Sequence, residues 1–272
     1  MKRSRVRLTL IEAGITLGIM LFLAAILLPG LARSREGSRR ASCANNLKQM
    51  GLALKMYANE WNGCFPSLSR IPNNWMMDMK AVYPEYLTDL SVLICPSSPF
   101  ADYNTFSLKD NFEHPGYDLG EYHPDCVSSL FYIYTGYTIF SDEQALALFG
   151  AYYEMPPESF AEPDLQLAVP VWADSDRVYS AGWAGIPVIW DRVPFDEQDF
   201  AHRPLGGNVL HMDGHVQFVR YFYYNNSNFF PMTRVSAETF GSVFPRLSSD
   251  CYCIELVQQT CNRHSHSDIS EE

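Results

Sequence analysis

Basic residues are scarce over most of this chain. Residues 1–40 hold eight Lys and Arg against Glu12 and Glu36, a balance of +6. The whole 272-residue chain carries −11, so the remainder carries −17. A body that acidic lacks the cationic footprint that nucleic-acid binding needs, and nucleic acid is excluded as a partner. Catalytic signatures are missing as well. There is no G-x-S-x-G, no H-E-x-x-H and no glycine-rich phosphate loop, which points away from an enzyme. No internal repeat is present.

Seven cysteines are present, but no C-x-x-C. Cys43, Cys64, Cys95, Cys126, Cys251, Cys253 and Cys261 are too dispersed for a zinc pattern. In an exported domain they would oxidise. Cys95 and Cys126 are the cysteines expected in disulfides, and the odd count leaves a thiol over.

One long apolar run is present. From Leu8 to Leu28 there are 21 residues, with Glu12 as the single charge. As a helix they span roughly 31 Å, about one hydrocarbon core. A signal peptide cut after Ala32, a plain anchor and a filament-subunit leader all compete for this segment. Glu12 discriminates among them. A carboxylate inside a membrane costs several kcal/mol unless compensated. A filament subunit can compensate it on assembly, by pairing with the α-amino group of a neighbour cut before Leu8.

"LTLIE" (Leu8–Glu12) resembles the "FTLIE" signature of type IV prepilins and type II secretion pseudopilins. Pro29 falls where such helices carry a kinking proline. The stretch "ARSREGSRRASCANNLKQMGLALKMYANEWNGCFP" resembles a bacterial family that joins this leader to a C-terminal H-x9-DG motif. The resemblance implies cleavage between Arg7 and Leu8 by a prepilin peptidase, N-methylation of Leu8, and an assembly role for Glu12. It also implies a single pass through the inner membrane, with the body periplasmic or extracellular, and other pilin-like subunits as partners. The family has Gly where this chain has Arg7, and Phe where it has Leu8. In place of H-x9-DG, ten residues separate His202 from Asp213-Gly214.

Four regions follow: a basic leader over 1–7, a transmembrane and stalk helix over 8–62, a globular body over 63–250, and a polar tail over 251–272. Leu47, Met50, Leu54, Tyr57 and Trp61 make one apolar stripe at helical spacing. Asn62-Gly63 closes the helix. In the body, 81–87 reads as a helical turn, 92–98 as a strand running into a turn, 130–140 as a strand pair or one long strand, 144–154 as helix and 167–176 as a strand ending in an acidic turn. Residues 208–222 read as a hairpin.

His202, His211, Asp213 and His215 suggest a metal site. A two-residue turn at Asp213-Gly214 opposes it, by pairing His211 with Val216. The two histidines would then lie on opposite sheet faces. His202, Asp213 and Gly214 are therefore read as structural. Asp174 and Asp176 could hold a structural Ca²⁺, with Asp191 as a further ligand; no other cofactor is expected. The expected fold is α+β and pilin-like, a long N-terminal helix packed on a mostly antiparallel sheet. The expected function is a pseudopilin-like filament subunit. The alternative is a permanently anchored periplasmic binding module for a glycan or protein ligand.

Overall fold

The computed structural model describes residues 10–102, 104–108, 121–154, 185–222, 229–245 and 251. The fold is mixed α+β, with an apolar N-terminal helix and a four-stranded antiparallel sheet. Helix α1 runs Leu10–Glu60. The chain divides between Arg39 and Arg40 into two compact units.

In the first unit the helix is bare. Its large apolar side chains from Ile11 to Leu31 are all at least half exposed. Ile11–Leu28 is long and apolar enough to cross a membrane, and equally fits a signal sequence. The helix passes through position 29 without interruption.

In the second unit the same helix belongs to the core. Cys43, Leu47, Met50, Leu54, Tyr57 and Ala58 are buried. Trp61 falls outside the stripe and is 56% exposed, beyond the last helical residue. The helix stops because Asn62 and Gly63 take left-handed backbone angles, φ 54° and 86°. The Gly63 amide then bonds back to the Ala58 carbonyl.

The sheet is a meander of β1 (Tyr132–Tyr134), β2 (Pro187–Asp191), β3 (Gly206–His211) and β4 (Val216–Arg220), in that spatial order. Every residue of β1 and β2 is buried, so neither shows the alternation that would have announced it. Helix α1 reaches β3 where a glycine permits it. A Cβ on Gly51 would lie 3.0 Å from a Leu210 methyl. Trp75, Phe149, Tyr152 and Phe240 stack into an aromatic centre, which Phe240 extends to Trp190. Phe149 and Tyr152 come from α3 (Asp142–Glu154), the helix expected near 144–154.

Three readings of the body change. Residues 92–98 keep the expected turn but lack the strand before it: a 3₁₀ turn spans Leu90–Leu93, capped by the Asp89 carboxylate. The strand pair or long strand expected over 130–140 reduces to β1. The helical turn expected at 81–87 begins earlier, as α2 (Met79–Val82), capped by Asp78. The segment 167–176 lies outside the described residues.

Candidate functional site

The hairpin differs from its sequence reading in one residue of register. Leu210 pairs with Val216 and Val209 with Gln217. The His211 amide donates to the His215 carbonyl, and the Gly214 amide to that of His211. The loop therefore holds three residues, Met212 to Gly214, with Gly214 at φ 95°. Shifting register by one residue moves side chains to the other face. His211 and His215 thus share a face, contrary to expectation, with rings stacked at 4.3 Å and 3° between planes.

Asp213 organises this tip. Its carboxylate accepts from the His215 amide at 2.9 Å and lies 2.6 Å from His215 Nδ1. Its carbonyl accepts from Lys55 Nζ at 2.8 Å, tying the loop to α1. Burial, and then the neighbouring His215, push the His211 imidazole down to about 4. Neither His211 ring nitrogen has a hydrogen-bond partner.

His202 is not part of the hairpin. It is fully buried behind β2 and β3, within a polar cluster. Its Nε2 lies 3.1 Å from Asp191 Oδ2, 3.3 Å from Asn208 Nδ2 and 3.7 Å from Cys95 Sγ. Asn208 donates twice to Asp191 Oδ2, from its backbone amide at 2.6 Å and its side-chain amide at 2.9 Å. Asp191 is 2% exposed, and its other oxygen, Oδ1, has no hydrogen-bond partner. A buried carboxylate is tolerable only when paired and hydrogen-bonded, and His202 and Asn208 meet that need. The ring of Phe218 lies edge-on to His202 at 6.2 Å, and Arg40 stacks over Phe218 at 4.7 Å.

Among the described residues, two disulfides close the body. Cys43 of α1 joins Cys95, and Cys126 joins Cys251. Cys95 and Cys126 both take part, but not with each other. Cys64 is free and half-buried. Cys251, assigned from sequence to a polar tail, is buried and held to the body. The cluster of Cys43, Cys95, His202 and Asp191 was not legible as a site, because its members lie on four separated segments. Asp191 is engaged with His202, and the proposed calcium partners Asp174 and Asp176 lie outside the described residues. Arg7 and Leu8 do too. Glu12 is exposed in the first turn of α1.

The architecture defines a class first: an apolar N-terminal helix continuing into an antiparallel α+β body, consistent with a pilin-like fold. The model of a family described as "Protein of unknown function (DUF1559)", typical of pilin-like prokaryotic proteins, matches residues 32–79. That match covers the second part of α1 and stops well short of the hairpin. No curated protein matches the chain, and no solved structure does.

Proposed function

We propose that this chain is a pseudopilin-like structural subunit of a type II secretion or type IV pilus-like filament. One observation carries the reading: helix α1 changes character along its length. Residues Ile11–Leu28 expose an apolar surface interrupted by Glu12, whereas Cys43, Leu47, Met50, Leu54 and Ala58 supply core to the body. A bare apolar helix needs lipid before assembly and neighbouring helices after it. In the filament Glu12 pairs with the Leu8 amine of an adjacent subunit, where a low dielectric makes a well-placed pair strong. The resemblance of Leu8–Glu12 to prepilin signatures and the family match at 32–79 support the same reading. The protein has no enzymatic role in this proposal. Its partners are other subunits, the peptidase and the inner membrane.

The test combines N-terminal sequencing with crosslinking in the membrane. The mature chain should begin at Leu8, carrying an N-methyl group. Glu12→Ala should insert as well as wild type but lose intersubunit crosslinks, with Glu12→Asp intermediate. Arg7 favours a second reading, the anchored binding module, because an uncleaved leader offers no amine to Glu12. An intact N-terminus together with unchanged crosslinking of Glu12→Ala would establish that alternative.

A further inference from the structure

Trp61 lies just past the end of α1, outside the buried stripe, and is 56% exposed. Its ring is nonetheless held in place. One face stacks on Tyr57, with centroids 5.4 Å and planes 9° apart. Its Nε1–H donates to the Tyr86 hydroxyl at 3.3 Å, and that hydroxyl donates to Glu60 Oε2 at 2.6 Å. The Tyr86 ring stands edge-on to Tyr57 at 5.2 Å. A side chain fixed this way loses little entropy when its open face is covered. The surroundings are anionic. The bond to Glu60 raises the Tyr86 hydroxyl above its usual range, and the Glu85 charge adds to this. Burial, and then the charge of Asp78, raise the Tyr57 hydroxyl. A tryptophan face beside carboxylates suits a cation, and arginine is the protein cation that stacks on aromatic faces most often.

We propose that the open face of Trp61 receives an arginine of a second copy of this chain, Arg35 or Arg39, with Glu60 and Glu85 as its ion-pair partners. Charge complementarity selects this occupant. Residues 1–40 carry +6 and the rest of the chain −17. Arg35 and Arg39 are exposed and four positions apart on α1, hence on one face. Arg40 is already engaged over Phe218. On α1 roughly 30 Å of rise separates Arg40 from Glu60, so the arginine comes from another copy. The anionic rim favours this cation over a neutral sugar, which would stack on the same ring face. The contact rests on the filament reading and extends it. Glu12 joins helices within the membrane, whereas this contact joins body to stalk outside it.

The test places a benzoylphenylalanine photocrosslinker at the exposed Asn59 of the full chain in its membrane. Illumination should give a dimer, and mass spectrometry should map the joined peptide to residues 33–40. Trp61→Ala should lower the dimer yield roughly fivefold, and Trp61→Phe, which keeps a ring face, should lower it less. Arg35→Gln/Arg39→Gln should lower it by a similar factor and leave crosslinks between membrane helices unchanged. Glu60→Arg/Glu85→Arg should remove the dimer, and combining it with Arg35→Glu/Arg39→Glu should bring the dimer back. That rescue separates a lost contact from a lost fold. A dimer mapped elsewhere, or one unaffected by both Trp61→Ala and Arg35→Gln/Arg39→Gln, overturns the contact and leaves the filament reading standing. Absence of every intersubunit crosslink in wild type overturns both. Competition by cellohexaose but not by a tetra-arginine peptide overturns the contact in favour of a glycan.

Discussion

Two residues at the hairpin tip carry separable physics. Gly214 sits at φ 95°, and a Cβ there would meet Lys55 Nζ at 2.8 Å. Lysine can swing away, but backbone strain cannot be relieved so readily. Gly214→Val should therefore cost about 1 kcal/mol or more, read as a lower denaturation midpoint. His211 is a titration effect. Unfolded, it takes up a proton near 6.5; folded, burial and His215 hold its value near 4. Between these values the unfolded chain binds more protons, so stability falls as pH falls from 6.5 to 4 and levels off below. After discounting for partial solvent screening, the loss is on the order of 1 kcal/mol. Denaturant titrations at pH 7 and 4.5 should show this loss in wild type, and a smaller one in His211→Gln.

At the scale of elements, α1 is two surfaces on one helix. Leu47 is fully buried in the core, whereas Leu52, little more than a turn later, is 62% exposed. Leu47→Ala should cost about 2–5 kcal/mol, because it removes transfer energy and leaves a cavity. Leu52→Ala should change stability by less than about 0.5 kcal/mol. Equal losses in thermal unfolding would contradict this placement of the helix. The apolar stripe, the Asn62-Gly63 stop and α3 were all readable, because helical periodicity and capping act within a few residues. The short strands were less so. β2 has the sequence Pro187-Val-Ile-Trp-Asp191 and is buried throughout, and so short an apolar run does not announce its partner.

The body as a whole is held by cross-links between distant segments. Cys126 and Cys251 are separated by 125 residues. Closing so long a loop restricts the unfolded ensemble by about 5 kcal/mol in the chain-entropy account. Cys126→Ser should lower the melting temperature of the oxidised protein markedly. The same substitution should matter little under reducing conditions, where wild type has lost that cross-link too. Differential scanning calorimetry with and without reductant makes the comparison.

What the sequence determined by itself were the features that depend on neighbours along the chain. These are the apolar run with its single Glu12, the charge asymmetry, the helix and its stop, and a turn at Asp213-Gly214. Tertiary structure decided everything that depends on register and convergence. A three-residue rather than two-residue loop brought His211 and His215 onto one face, since one residue of slip reverses a strand's faces. The sequence grouped His202 with the hairpin, whereas its partners Asp191 and Asn208 lie within the sheet. Asp191, Asn208, Cys43 and Cys95 meet it only because the sheet and α1 fold over one another. No spacing rule links residues that become neighbours through packing alone.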